Sequence, residues 1–256
     1  MISLSKENNV AYITLQRPKV YNSFCRDMAL QMQSMLDDCA SDASIRAIHI
    51  TGEGKAFSAG QDLGEIVDPN GPDLRTIITE HYNPIVQRLR TIEKPIVAAI
   101  NGVAAGAGAN IALACDITVA AESASFIQAF SKIGLIPDSG GTYTLPRSIG
   151  LQKATALMML GEKVTATEAE RIGMIYKVVP DADLAATAKS IAERLAQMPT
   201  VGLGLTKRAL NVTWDNTLSQ QLDVEDELQY QASQTYDYGE GVSAFLEKRK
   251  PNFKGE

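Results

Sequence analysis

Hydrophobic and polar residues alternate in a short segment near the start of the chain, and a helical pattern follows it. The alternation at residues 11–15 predicts a strand that ends before Pro18. From about Arg26 to Cys39, Met and Leu residues recur at helical spacing, and Ser23 is the expected cap. These residues are expected to form the buried face of a helix.

The same succession of strand and helix continues through the first half of the chain. Further strands are predicted at residues 45–51, 96–100 and 117–121, with a shorter extended piece at 125–129. Helices are predicted at about 74–91, where His81, Tyr82 and Asn83 are expected to line a pocket, and from a Gly/Ala turn to about Cys115. Strand–helix alternation with short connections indicates an α/β fold with largely parallel strands.

The pattern changes after Leu151 and becomes mainly helical. TATE at 165–168 and DYGE at 237–240 read as capping boxes, and Gly173 is placed to end the first of these helices. A last strand is predicted at 175–179, before helices near 183–197, 201–212 and 218–235 and a final helix that ends at 248–251. We therefore divide the chain into an α/β core at 1–195 and a helical region at 196–256.

Length and composition describe an ordinary globular protein with one large domain, or a large domain with an appendage. The 256 residues are 45% hydrophobic and 21% charged. A net charge of −6 argues against a general nucleic-acid or membrane surface. No signal peptide or membrane span is apparent, and three cysteines without metal-ligand spacing disfavour a disulfide framework, so the cytoplasm is the expected compartment.

Two runs of small residues, FSAGQDL at 57–63 and NGVAAGAGAN at 101–110, each follow a strand-like segment. No bulky side chain covers the backbone there, so amide N–H groups can point at a ligand. Two such donors on one carbonyl oxygen form an oxyanion hole. A single run of this kind more often reflects tight packing or turn chemistry. The occurrence of two such runs favours the oxyanion hole.

Several other chemistries lack the residues they need. The only histidines are His49 and His81, and no cluster at metal-ligand spacing accompanies them. The GxSxG motif of esterases is absent. The phosphate-loop pattern fails because His49 stands where its first glycine is needed, and the dinucleotide fingerprint fails at Ile111. No metal or dissociable cofactor is therefore expected.

Asp138, in GLIPDSGGT, is the strongest candidate for a catalytic carboxylate. It follows Ile-Pro and precedes two glycines, so it is expected at a turn that opens a helix. One interpretation is a helix cap. The other is a partly desolvated base with a raised pKa that takes a proton from carbon.

The two small-residue runs at 57–63 and 101–110 and the segment around Asp138 together resemble the crotonase (enoyl-CoA hydratase/isomerase) superfamily. The resemblance covers the whole chain. It implies a spiral of ββα units, a trimerisation region at 196–256, and coenzyme A thioester substrates held by a homotrimer or a dimer of trimers. By position, the N–H groups of Ala59 and Gly106 would bind the thioester carbonyl. The substrate would lie along Ala59, Gly60, Gln61, Asp62 and Leu63.

The chain departs from the hydratases of this family at two positions. Where hydratases carry the two glutamates that activate water, this sequence has Asn110 and Phe130. Neither side chain can act as a general base, which disfavours alkene hydration. Asp138 matches the acidic position of several isomerase branches, in which one carboxylate moves a proton between two carbons.

Within the family, HYNPIVQRL and AFSKIGLIPDSGGT are most similar to isomerases of ring-epoxidised aryl-CoA thioesters in phenylacetate catabolism. The resemblance implies conversion of ring-1,2-epoxyphenylacetyl-CoA to oxepin-CoA by a proton shuttle stabilised as an enolate. An aliphatic Δ3,Δ2-enoyl-CoA isomerase and a non-catalytic CoA-thioester-binding subunit remain alternatives.

Overall fold

The strands of the protein form two sheets in a computed structural model that describes all 256 residues. The ten strands are β1 (Ile2–Glu7), β2 (Val10–Leu15), β3 (Ala47–Gly52), β4 (Ala56–Ser58), β5 (Ile96–Ile100), β6 (Val103–Ala105), β7 (Ile117–Ala121), β8 (Ser125–Ile127), β9 (Lys163–Thr165) and β10 (Lys177–Val179). Six of them form a sheet in the order β1–β2–β3–β5–β7–β10, and four form a second sheet in the order β4–β6–β8–β9. Only the pairs β1–β2 and β8–β9 are antiparallel.

Helices cover the sheets and make up the whole C-terminal region. They are α1 (Arg26–Ser41), α2 (Leu63–Val67), α3 (Leu74–Thr76), α4 (Asn83–Thr91), α5 (Ala107–Ala114), α6 (Gly141–Ile149), α7 (Leu151–Leu160), α8 (Ala166–Arg171), α9 (Leu184–Ala196), α10 (Thr200–Val212), α11 (Leu218–Ser233) and α12 (Tyr236–Leu246). A π-helical turn at Ile77–Tyr82 joins α3 to α4, and short 3-10 turns lie at Pro18–Val20, Ala129–Ile133 and Asp181–Asp183. None of the helices combines the length and apolarity needed to cross a membrane.

The chain passes repeatedly from the large sheet to the small one. β3 leads into β4, β5 into β6 and β7 into β8, and within each sheet these strands are parallel. The carboxyl ends of β4 and β6 therefore meet at one edge of the small sheet. The α/β fold with parallel sheets and C-terminal helices is confirmed. β4 overlaps the first Gly/Ala run and β6 lies inside the second, and the sequence pattern predicts both runs only as turns.

The core lies between the large sheet and the helices α1, α4 and α9. All five residues of β5 are buried, as expected of a central parallel strand covered on both faces. The first strand, β1, was not predicted. It pairs with β2 through Asn8 and Asn9, whose φ angles of 51° and 62° fit the tight hairpin turn that favours asparagine.

The predicted helix caps at Ser23 and Asp237 are wrong, because a different residue occupies each cap position. Cys25, not Ser23, precedes α1, and the Arg26 N–H donates to the Glu65 carboxylate at 2.8 Å. The last helix is capped by Thr235 and not by Asp237. The buried Asp237 carboxylate instead accepts hydrogen bonds from backbone amides of the C-terminal tail. The cap at Thr165 is confirmed.

A partly buried ionic cluster attaches the C-terminal helices to the core. Lys207, on α10, is 7% exposed and donates to Asp116 at 2.8 Å. The same carboxylate accepts from the Ile96 N–H at the start of β5 and lies 3.3 Å from the Arg90 guanidinium. Burial lowers the pKa of Lys207, and Asp116 opposes that shift. Lys207 therefore depends on Asp116 to keep its buried ammonium group charged.

Removal of the Lys207 charge tests this attachment. We expect Lys207→Met to lower the free energy of unfolding by about 3 kcal/mol, because the desolvated Asp116 carboxylate loses its nearest cation. Urea unfolding monitored by circular dichroism measures the change. Arg171→Met removes an exposed ion pair with Glu168 and is the matched control, for which we expect almost no change. Equal effects of the two substitutions would contradict a structural role for the cluster.

Candidate active site

A cavity of about 330 Å³ opens where β4 and β6 end and α5 begins. Sixteen residues line it and twelve of them are hydrophobic. Asp138 is the only carboxylic acid among them, and no lysine, arginine or histidine contributes. The cavity is therefore an apolar pocket with a single carboxylic acid, the kind of site that binds small organic ligands.

The two amides predicted to form the oxyanion hole are already occupied. The Ala59 N–H donates to the Tyr21 carbonyl and the Gly106 N–H to the Ile127 carbonyl, both at 2.9 Å. Each bond holds its segment in the fold, so neither amide is free for a ligand. The prediction that Ala59 and Gly106 are the donors is wrong, although both residues line the cavity.

The free amides belong to neighbouring residues, Gln61 and Ala107. Neither N–H has a hydrogen-bond acceptor in the protein, and both residues line the cavity. Gly106 adopts φ 53° and ψ −127°, a conformation open to glycine, and this sets the orientation of the following amide, that of Ala107. Gly60, at φ 88°, lies so close that an added Cβ would be 3.2 Å from the Ala107 nitrogen. Two unpartnered amides therefore lie on adjoining segments of the cavity wall.

The segment 59–63 contributes alternate residues to the cavity. Ala59, Gln61 and Leu63 line it, whereas Gly60 and Asp62 do not. Asp62 faces away, where its carboxylate accepts from the Gly64 N–H and pairs with Arg17 at 2.8 Å. Of the five residues predicted to contact a ligand, only these three therefore reach the cavity.

Asp138 lies in a tight turn and does not cap the following helix. Gly140 occupies the cap position of α6, and no side chain caps this helix. The Asp138 carboxylate instead accepts from the Ser139 hydroxyl at 2.7 Å and borders the cavity. Burial raises the pKa of Asp138, and the Ser139 hydrogen bond opposes part of that shift. These contacts favour the interpretation of Asp138 as a base.

Asn110 and Phe130, which replace the hydratase glutamates, have structural contacts of their own. The buried Asn110 amide donates to the Asp138 carbonyl and accepts from Gln128, both at 2.8 Å. Phe130 is 6% exposed and its ring forms part of the apolar wall. Asn110 thus holds the Asp138 turn in place, while Phe130 excludes polar groups from its side of the cavity.

The helix at 74–91 contributes Tyr82 to the cavity, as predicted, but neither His81 nor Asn83. Asn83 is exposed, and the buried His81 lies behind the wall with one ring nitrogen 3.3 Å from the Arg26 guanidinium. Burial lowers the pKa of His81, which keeps the ring largely neutral. The hydroxyl of Tyr82 donates to the Gln61 side chain at 2.8 Å, a contact that the sequence did not predict.

Comparison with known proteins places this site in a family. The family model described as enoyl-CoA hydratase/isomerase matches residues 5–256. The chain is 49% identical to the 1,2-epoxyphenylacetyl-CoA isomerase of Escherichia coli K12 over 98% of this chain and 97% of that protein. It is 44% identical to a probable enoyl-CoA hydratase of Rhodobacter capsulatus, over 96% and 95% of the two chains. A crystal structure of an enoyl-CoA hydratase from Bacillus anthracis superposes with a TM-score of 0.92 at 34% identity, over 100% of this chain and 99% of that chain. The chain therefore belongs to the enoyl-CoA hydratase/isomerase family, also called the crotonase family.

Proposed function

We propose that this protein is an acyl-CoA isomerase that moves a proton between two carbons of a bound thioester. One observation carries the proposal: Asp138 is the only acid in an apolar cavity that also holds the free amides of Gln61 and Ala107. A single carboxylate suffices to remove a proton and return it elsewhere. The amides supply the stabilisation that an enolate oxygen needs.

The proposed reaction has two proton transfers and no net change in composition. Asp138 takes a proton from the carbon next to the thioester carbonyl, and the electron pair of the broken C–H bond moves onto the carbonyl oxygen. That oxygen accepts hydrogen bonds from Gln61 and Ala107, each worth about 3 kcal/mol when well aligned. The protonated Asp138 then returns its proton to a different carbon, which completes the isomerisation and restores the carboxylate.

Hydration fits the cavity less well, although several relatives are named hydratases. Addition of water needs a group that activates a water molecule beside the double bond. The positions that would supply it hold Asn110, whose amide is engaged by Asp138 and Gln128, and Phe130, which is apolar.

We propose ring-1,2-epoxyphenylacetyl-CoA as the substrate and oxepin-CoA as the product. The epoxide opens to the seven-membered ring by valence tautomerism, and the proton shuttle through Asp138 then shifts the double bonds. The identity with the E. coli isomerase and the aromatic walls at Tyr82 and Phe130 support this choice. Aliphatic Δ3,Δ2-enoyl-CoA thioesters are the second candidate, because the same shuttle and the same apolar cavity suit them.

Proton exchange in deuterated buffer tests the function directly. We expect isomerised product from enzymatically generated 1,2-epoxyphenylacetyl-CoA, with trans-3-hexenoyl-CoA as the aliphatic comparison. Deuterium enters the product in those turnovers in which the protonated Asp138 exchanges with the buffer before it returns its proton. Asp138→Asn is expected to lower kcat by about a thousandfold, because no other acid lines the cavity. Thioester binding should persist in this variant. Asp68→Asn, at an exposed loop position, is the matched control.

Each outcome of that experiment separates the candidates. Turnover of the aliphatic thioester alone would assign a fatty-acid isomerase. Hydrated product would assign a hydratase, and binding without product or exchange would indicate a non-catalytic thioester-binding subunit. A near wild-type rate for Asp138→Asn would reject the mechanism.

The pH dependence of kcat/KM offers a second test. Asp138 must be ionised to accept a proton, and burial raises its pKa. A larger fraction is therefore protonated at a given pH, so activity should fall at low pH with a midpoint above the usual range of aspartate. Ser139→Ala removes a hydrogen bond that favours the ionised form and should move this midpoint to higher pH. An unchanged profile would indicate another base.

We further propose that residues 196–256 mediate self-association as a homotrimer or a dimer of trimers, in the cytoplasm. The helices α11 and α12 expose several large apolar side chains, namely Leu218, Leu222, Tyr230, Phe245 and Leu246. Light scattering should give three or six times the chain mass of 27.6 kDa. A monomer at micromolar concentration would contradict this proposal.

A further inference from the structure

The helix beside the cavity is interrupted by a wide turn whose cause is visible in the sequence. Within Ile77–Tyr82 the helix is a π-helix, closed by the Asn83 N–H donating to the Ile78 carbonyl. Pro84 follows directly; its ring has no N–H and would collide with the Glu80 carbonyl in a regular helix. The Glu80 carbonyl accepts instead from the Gln33 side chain at 2.6 Å.

The wide turn brings side chains of residues five apart onto the same wall. Ile77 and Tyr82 both line the cavity and each is 1% exposed. In a regular α-helix these two positions would point about 140° apart, given its 3.6 residues per turn. The π-turn therefore places the Tyr82 hydroxyl inside the cavity wall.

A short chain of hydrogen bonds continues from that hydroxyl. Tyr82 donates to the Gln61 side-chain oxygen at 2.8 Å, and the Gln61 side-chain nitrogen donates to Glu65 at 2.7 Å. The other oxygen of Glu65 accepts the Arg26 N–H at the start of α1. The Gln61 side chain is thus held at both its oxygen and its nitrogen, and one end of the chain is fixed to a helix of the core.

Phe24, whose ring packs against Tyr82, also holds the main chain on both sides of Gln61. Phe24 donates its N–H to the Gly60 carbonyl at 2.7 Å and accepts from the Asp62 N–H at 2.8 Å. The rings of Phe24 and Tyr82 pack edge to face at 6.1 Å. The Gln61 amide therefore keeps its N–H unpartnered while both of its flanking residues are bonded to Phe24.

We propose that Tyr82 is a positioning residue, which fixes the Gln61 amide as an oxyanion donor through its hydrogen bond to the Gln61 side chain. The inference rests on the proposed function. Burial, together with the charges of Asp138 and Glu65, keeps the pKa of Tyr82 well above its ordinary value, so the phenol stays neutral. It acts on the reaction only by donating a hydrogen bond.

Tyr82→Phe removes this hydrogen bond and keeps the ring. We expect kcat to fall about tenfold, because a slightly misplaced donor affects the enolate more than the bound substrate. KM and the affinity for the saturated ligand hexanoyl-CoA should change less than twofold. Bound acetoacetyl-CoA should show a weaker ultraviolet band of its enolate form, which reports the oxyanion site without turnover.

Tyr12→Phe is the matched control. The Tyr12 hydroxyl is buried without a hydrogen-bond partner, and its ring packs on His49 in the large sheet, away from the cavity lining. The substitution deletes the same group, so we expect unchanged kcat and an unchanged enolate band. An equal fall of kcat in both variants would mean that loss of a buried phenol merely weakens the fold.

A second variant keeps the proposal testable if Tyr82→Phe folds poorly. Gln61→Met retains the length of the side chain and the main-chain N–H but removes the acceptor for Tyr82 together with the hydrogen bond to Glu65. Its kcat should therefore fall at least as far as that of Tyr82→Phe. The double variant should be no slower than Gln61→Met, because the hydrogen bond that Tyr82→Phe removes is already lost in that variant. Additive losses, or wild-type kcat in Tyr82→Phe, would overturn this inference. Absence of both isomerised product and proton exchange in the wild-type protein would instead overturn the proposed function.

Discussion

The close approach of the loop after β4 to the first turn of α5 is the constraint on which this site depends. An added Cβ at Gly60 would be 2.9 Å from the Ala105 carbonyl oxygen, so only glycine permits the contact. The contact leaves the N–H groups of Gln61 and Ala107 without acceptors. An unpaired polar group at a desolvated site costs about 1–3 kcal/mol. In the proposed reaction a ligand carbonyl that accepts from both amides offsets this cost, so the same geometry would serve ligand binding and stabilisation of the enolate.

Asn110 connects the position of a hydratase glutamate with the turn at Asp138. Its amide nitrogen donates to the Asp138 carbonyl. An ionised glutamate at this position has no N–H and could not donate this hydrogen bond. In this chain residue 110 therefore supports the turn that carries Asp138 and supplies no carboxylate to activate water.

The sequence predicted the parallel sheets and most of the helices, and it marked Asp138 as the candidate acid, because each has a local pattern. It did not predict which amides are free, since that depends on the φ and ψ angles of Gly106 and on the bonds of Ala59 and Gly106 to distant carbonyls. The cap at Ser23 failed for a related reason, because Glu65 reaches the start of α1 from another element. Pro84 was a local signal for the irregular helix. The resulting position of the Tyr82 hydroxyl in the cavity wall could be seen only in the structure.

An apolar cavity with one acid also limits the electrostatic cost of the proposed reaction. Before proton transfer the negative charge lies on Asp138, and afterwards it lies on the enolate oxygen, so the cavity holds one charge throughout. Burial destabilises the Asp138 carboxylate, whereas the free amides and the positive end of α5 stabilise the enolate. Both effects reduce the free-energy difference between the two states. Asp138 can then both remove a proton from one carbon and return it to the other, which an isomerase requires.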